Sequence, residues 1–432
     1  MYRPHFLRIA ALVLALTAVA CPAAPQEIVA VASKPQAVYA AGETARWTIE
    51  VRGPGAETVA DVRYVIKRNA LTSVREGALP LRDGQAVLEE RLDKPGTLLV
   101  ELKAKLPSRE ISALAGAVFS PEKLRPSLPR PADFDGFWKA KLAELARTPP
   151  NPQLEAVDIG RPEIDYCKLR MDNIRGSRIY GQLARPKREG RFPAMLIVQW
   201  AGVYPLQRDW VTWRAEAGWL VLDIMAHDLP LDKPQSFYDE AARTTISNYP
   251  AIGNDDRETS YFLRMYLSCY RAAEYLTQRP DWDGRTLVVT GGSQGGLQTI
   301  VTAALHPRVT AGIADVPAGC DLNGPEAGRA AGWPMWYWQT QGKEEAMVRA
   351  ASRYYDVVNF ASRVKAPILV GLGLVDTVCP APGVFAMTNE LKGPKEVVIM
   401  PGAGHGGDHR PFQQRSEAWL AALVKGEKPP VR

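Results

Sequence analysis

Six short runs in the C-terminal two thirds of the chain are apolar almost without interruption: AMLIVQW (194–200), WLVLDI (219–224), TLVVTG (286–291), TAGIAD (310–315), PILVGLG (367–373) and EVVIM (396–400). A strand with no polar alternation has no wet face, so it belongs in a sheet that is covered on both sides. Parallel strands joined by helices meet that demand. The stretch 261–278 supplies one such helix, with Phe262, Met265, Tyr266, Cys269, Ala273 and Leu276 recurring at three- and four-residue steps. The fold class is therefore α/β, a mostly parallel, doubly wound sheet.

The N-terminal part has another period. ARWTIEV (45–51) alternates, with Trp47, Ile49 and Val51 on one side, and ADVRYVIK, QAVLEER and GTLLVELKA follow as short segments between the turn signals RGPG, RDGQ and DKPG. Residues 26–119 read as a β-sandwich of immunoglobulin-like size. A proline-rich linker, 120–133, precedes a larger domain over 134–432. Two domains also suit the length of 432 residues.

Residues 1–24 read as an export signal: Arg3 and Arg8 form a charged n-region, and Ile9 to Ala20 an apolar stretch too short to span a bilayer. Cleavage after Ala20 or after Ala24 fits. Cys21 raises a second reading, acylation that would anchor the chain, although Ala18 is a poor match to the usual leucine before such a cysteine. Either way the expected location is periplasmic or extracellular. The net charge is +6, and without Arg3 and Arg8 about +4, with no lysine or arginine run, so no nucleic-acid partner is expected. Cys167, Cys269, Cys320 and Cys379 lie far apart without a C-x-x-C, and no His/Asp cluster has ligand spacing. Neither a metal nor another cofactor is expected. Cys269 reads as a small core residue.

Gly291-Gly292-Ser293-Gln294-Gly295 satisfies G-x-S-x-G between a strand and a helical segment. A nucleophilic serine on a strained strand-to-helix turn needs small neighbours, and Gly291, Gly295 and Gly296 provide the room. The alternative is a glycine turn without chemistry. A phosphate loop is disfavoured, since no GK[ST] follows.

A serine hydroxyl needs a base, and five histidines allow elimination. His5 falls in the leader, His306 reads as a helix cap, and His227 precedes the serine, the wrong order for this arrangement. His405, in PGAGHGG after the strand EVVIM, is the expected base; His409, four residues further on, is the runner-up and reads rather as an exposed loop histidine. The orienting acid should follow a strand between serine and histidine, and Asp376 after PILVGLG does. Asp315 reads as structural or pocket-lining, and Asp321 as a loop residue. Oxyanion donors are expected at the backbone amides of Gln294 and Ala201, with Gly202 as the alternative to Ala201.

These strings resemble the acetylxylan esterase and cephalosporin-C deacetylase group, carbohydrate esterase family seven of the α/β-hydrolases. The resemblance covers 126–425 and rests on PADFDGFWKAKLAEL, RPDWDGRTLVVTGGSQGG, NFASRVKAPILVGLGLVDTVCPAPGVF and KEVVIMPGAGHGG. It implies a serine esterase acting on acetylated xylan, xylo-oligosaccharides and similar small esters through an acyl-enzyme, with Ser293, Asp376 and His405 as triad and Gln294 as oxyanion donor. Two departures stand out. Gln199-Trp200-Ala201 replaces the family's HGY-type segment, and IMAHDLP (224–230) replaces its RGQG motif, which removes an arginine that braces the site.

Trp200 and the tryptophans of AGWPMWYWQ (331–339), Trp333, Trp336 and Trp338, offer flat faces for sugar rings, with packing of an inserted cap as the alternative. Two other functions compete: a prolyl-oligopeptidase-like serine peptidase, whose usual propeller is too large for the N-terminal segment, and a non-catalytic carbohydrate-binding surface protein. The sequence leaves oligomeric state and cysteine pairing open.

Overall fold

A computed structural model describes residues 25–107 and 109–432. The leader and Cys21 lie outside the described residues. The N-terminal segment forms eight strands: β1 (Glu27–Ala32), β2 (Val38–Tyr39), β3 (Thr44–Arg52), β4 (Asp61–Arg68), β5 (Thr72–Pro80), β6 (Gln85–Arg91), β7 (Gly96–Lys105) and β8 (Glu110–Phe119). They build a three-stranded sheet, β1-β3-β6, and a five-stranded sheet, β2-β8-β7-β4-β5, antiparallel except for the short β2–β8 pairing. Alternation does the folding here. Trp47, Ile49 and Val51 of β3 are buried with Val62, Ile66, Leu98 and Val100 of the other sheet, and their polar neighbours face water.

The second sheet has nine strands: β9 (Gln153–Ala156), β10 (Ile164–Asp172), β11 (Arg178–Pro186), β12 (Phe192–Ile197), β13 (Leu220–Ile224), β14 (Trp282–Gly292), β15 (Ala311–Asp315), β16 (Ile368–Gly373) and β17 (Lys395–Met400). Their order is β17-β16-β15-β14-β12-β13-β11-β10-β9. The six apolar runs of the sequence are β12 to β17, and all pair in parallel. Three further strands, β9 to β11, extend one end of the sheet in antiparallel register. These were not legible as uninterrupted runs, because β10 alternates buried and half-exposed residues.

Nine helices accompany this sheet among the described residues: α1 (Phe134–Ala146), α2 (Asp209–Glu216), α3 (Gln235–Arg243), α4 (Tyr261–Gln278), α5 (Gln294–Leu305), α6 (Glu345–Ser352), α7 (Val357–Ala361), α8 (Ala381–Glu390) and α9 (Arg410–Leu423). None is long and apolar enough to cross a membrane. Helix α5 is buried nearly throughout, and each of Leu297, Ile300 and Val301 contributes roughly 1.5–3 kcal/mol by leaving water. Cys269 of α4 is a fully buried free thiol.

The proline-rich segment between the two parts is docked rather than loose. Leu124 is buried, the Ser127 amide donates to Asp321, and Asn389 of α8 donates to the carbonyls of Pro121 and Leu124. The small sheets also touch the large domain directly. A Cβ on Gly116 of β8 would stand 2.7 Å from Leu374 Cβ, just beyond the end of β16.

Candidate active site

Ser293 stands at the C-terminal end of β14, in the middle of the sheet, as the residue before α5. Its φ of 56° is a left-handed value that a side-chain-bearing residue adopts only under constraint. The surroundings impose it. A Cβ on Gly291 would lie 2.5 Å from the Val198 carbonyl oxygen, and one on Gly296 would lie 2.9 Å from Pro317 Cα. The glycines therefore let the chain turn sharply between β12 and β15 and push the serine side chain outward.

His405 and Asp376 come to this serine from the loops after β17 and β16. His405 Nε2 is 2.9 Å from Ser293 Oγ, and His405 Nδ1 is 2.9 Å from Asp376 Oδ2. Asp376 is nearly inaccessible, and its other carboxylate oxygen accepts the amides of Val378 and Cys379, each at 2.8 Å. Three donors thus hold the carboxylate oxygens of Asp376 in place. With Nδ1–H committed to Asp376, His405 Nε2 is left as the proton acceptor facing the hydroxyl.

Among the described residues, Asp376, Cys379 and His405 are the one group of three whose donor atoms lie within 4.8 Å of one another as a metal would need. Both oxygens of Asp376 and both ring nitrogens of His405 are already engaged by the bonds above. Burial also pushes the Cys379 thiol well above its ordinary range, against the thiolate that a metal requires.

The segment after β12, carrying Ala201, is fixed against α5 by glutamines. Gln294 Nε2 donates to the Gln199 carbonyl at 3.2 Å, Gln298 Nε2 to the same carbonyl at 3.0 Å, and Gln294 Oε1 accepts from Tyr249 at 2.6 Å. The amide of Gln294, first in α5, has no carbonyl partner within its helix. Beneath the loop, Gln199 and Gln182 both donate to Asp223, a fully buried carboxyl that burial raises to about 8.

His227, set aside by chain order as a base, has a place in this loop. Its Nε2 meets the Gly202 carbonyl at 2.8 Å and its Nδ1 the Tyr261 hydroxyl at 2.7 Å. The carbonyl can only accept, so Nε2 carries the proton and Nδ1 receives that of Tyr261. Burial lowers its pKa to about 4, which keeps the ring neutral. It lies in IMAHDLP, where the RGQG motif was missing, and braces the same neighbourhood with a different group.

One of the other two histidines keeps to expectation and one departs from it. His306 is the C-cap of α5, its backbone N–H donating to the Thr302 carbonyl at 2.8 Å. It is buried, lowered to about 4 by desolvation, and its Nδ1 accepts the Arg308 amide. His409 is not an exposed loop residue: its side chain is 10% accessible and its Nδ1 lies 2.8 Å from Asp315 Oδ2. The structure thus holds a second Asp–His pair beside the first, invisible to sequence because its partners are separated by 94 residues.

The tryptophans divide. Trp200 is 47% exposed beside Ala201, stacked on Tyr204 at 5.0 Å and edge-on to Trp210. Trp338 is also exposed, and Trp333 is half-buried against Phe262. Trp336 offers no face to a ligand: it is 1% exposed and its indole N–H is spent on the Pro250 carbonyl at 2.9 Å, so packing explains it.

The mostly parallel sheet, with a serine on the turn after its central strand, defines an α/β-hydrolase. The model of the acetyl xylan esterase (AXE1) family matches residues 121–423, well over half of the chain, and the protein belongs to that family. It is a carboxylic ester hydrolase. It is 34% identical over 369 residues to the acetyl esterase Axe7A of Xylanibacter ruminicola, covering 84% of this chain and 83% of the relative. The acetyl xylan esterase of Paenibacillus sp. R4 superposes with a TM-score of 0.61 at 25% identity, over 71% of this chain and 98% of that one. Acetyl xylan esterase 1 of Thermoanaerobacterium sp. JW/SL YS485 gives the same TM-score at 24% identity, over 70% of this chain and 96% of that one.

Proposed function

We propose that the protein is a serine esterase that removes acetyl groups from xylan or xylo-oligosaccharides through an acyl-enzyme. The observation that carries this reading is the chain of contacts Ser293 Oγ, His405 Nε2, His405 Nδ1 and Asp376 Oδ2, with 2.9 Å at each link. His405 takes the hydroxyl proton as Ser293 Oγ bonds to the acetyl carbonyl carbon. The amides of Gln294 and Ala201 receive the oxyanion. Collapse breaks the bond to the sugar oxygen, which leaves with the proton from His405. Water then gives a proton to His405 and attacks the acetyl carbonyl, and acetate departs as Ser293 regains its hydrogen.

Trp200 and Trp338, both exposed, and the partly buried Trp333 are the side chains we assign to sugar contact. The charged and then apolar residues at the start of the sequence support export, where polymeric substrate would be met. The test is acetate release by wild type and Ser293→Ala from acetylated xylan, acetylated xylo-oligosaccharides, pectin and cephalosporin C. Release from the xylan substrates by wild type alone is expected. No release from any of the four by wild type overturns the reading.

A further inference from the structure

The second pair, Asp315 and His409, spans the two segments that carry the serine and its base. Asp315 is the last residue of β15, and its backbone carbonyl accepts the Ser293 amide at 2.9 Å. Its side chain carries the other contact. Oδ2 meets His409 Nδ1 at 2.8 Å, while Oδ1 is buried with no hydrogen-bond partner. That oxygen lies against Gly371, where a Cβ would stand 2.5 Å from it and 2.6 Å from the Phe412 ring. His409 is the counter-charge within hydrogen-bond reach of this carboxylate.

The other ring nitrogen of His409 completes the span. Nε2 lies 3.3 Å from the carbonyl oxygen of Gly404, the residue before His405. A carboxylate and a carbonyl are both acceptors, whereas a neutral imidazole has one N–H. With Asp315 ionised, both contacts are hydrogen bonds only when the ring carries two protons. Resting on the assignment of Ser293 and His405 made above, we infer that His409 is a positioning residue. Held as an imidazolium between Asp315 and Gly404, it ties the loop that carries the base to the turn that carries the nucleophile, and turnover falls when it loses its proton.

Burial raises the Asp315 carboxyl above its ordinary value, and His409 opposes that rise. Burial works to lower the His409 pKa, but the bond from Asp315 and its charge outweigh that, and the net shift is upward. The other titratable groups around it are Asp376 and His405 across the base loop, and Asp408, itself paired with Arg410, on its own segment. Since the shift is upward, the charged form is fully present below the ordinary histidine value and is lost as pH rises through the raised one.

The test uses the full chain. For wild type and His409→Gln, kcat and KM on 4-nitrophenyl acetate are measured across neutral and alkaline pH. The imidazole Cε1–H resonances are followed over the same range in a Ser293→Ala background, and with five histidines in the sequence the His409 signal is identified by its loss on substitution. A glutamine can satisfy one acceptor and does not titrate. The expected result is a roughly ten-fold lower kcat near neutral pH with KM within about two-fold, and no counterpart in the variant to the alkaline decline of wild type. The His409 resonance titrates above the ordinary histidine range. Asp315→Asn, which keeps the backbone carbonyl but removes the charge, moves the alkaline decline to lower pH, and it serves if His409→Gln does not fold. Wild-type kcat and pH profile in His409→Gln, or a His409 resonance that titrates at or below the ordinary value, overturns the inference. Persisting turnover in Ser293→Ala overturns the triad instead, and the His409 titration still reports on the tie.

Discussion

Two aspartate–histidine pairs stand side by side in this protein, and they are mirror images in their exposure. In Asp376–His405 the acid is 1% exposed and the imidazole 27%; in Asp315–His409 the acid is 22% exposed and the imidazole 10%. The first acid accepts two backbone amides besides its histidine. The second has one oxygen without a partner and leans on the histidine for its charge. What each ring faces on its far side follows suit: a hydroxyl that can give up a proton in one case, a carbonyl that can only accept in the other.

The largest effect expected on this comparison is loss of the group that makes the first pair productive. Ser293→Ala should lower kcat for acetate release by about four orders of magnitude or more, measured on 4-nitrophenyl acetate, while leaving the fold intact. Asp376→Asn should follow with roughly a 10³–10⁴-fold loss, because an amide in place of the acid favours the wrong tautomer of His405. If Asp315→Asn costs as much in kcat as Asp376→Asn, the contrast between the pairs is broken.

His227 and His306 add a reference case, buried histidines with no acid at all. Both are lowered to about 4 by desolvation. Lowering the pKa of a base means that the stability tied to its neutral form is complete above the ordinary value of 6.5. It is lost as pH falls from there to about 4. The cost is at most about 3 kcal/mol for each. Asp223 and Asp356, both raised to about 8 by burial, work the opposite way as pH falls, so the histidine effect is read by difference: between neutral and acid pH, urea denaturation should show wild type losing more stability than His306→Gln. The smallest effect should come from the rim. Trp200→Ala should raise KM for acetylated xylo-oligosaccharides about five- to ten-fold and leave kcat on 4-nitrophenyl acetate unchanged.

How far the sequence could be read depended on how local the determinants were. The six central strands announced themselves because each is buried on both faces, and the order Ser293, Asp376, His405 could be taken from loops at strand ends. Strands β9 to β11 were missed for different reasons: β9 is exposed throughout, β10 alternates buried and half-exposed residues, and β11, although mostly buried, carries Gln182 and Arg185 in its run. His409 looked like surface because the residue that covers it, Asp315, sits far off in the chain. His227 was weighed only as a base, and a ring that braces a carbonyl leaves no pattern in one sequence. Trp336 looked like its exposed neighbours, since burial of one tryptophan in a loop depends on what that loop packs against, here Pro250.

The contact between Gly116 and Leu374 bears on anyone who wants to shorten or recombine this enzyme. Leu374 lies two residues before Asp376, and the small sheets press on it through a strand with no side chain to spare. A cut at the proline connector looks convenient on paper. It would strip the outer wall from the turn that carries the acid, so the exchangeable unit in protein engineering is the esterase together with its N-terminal sheets.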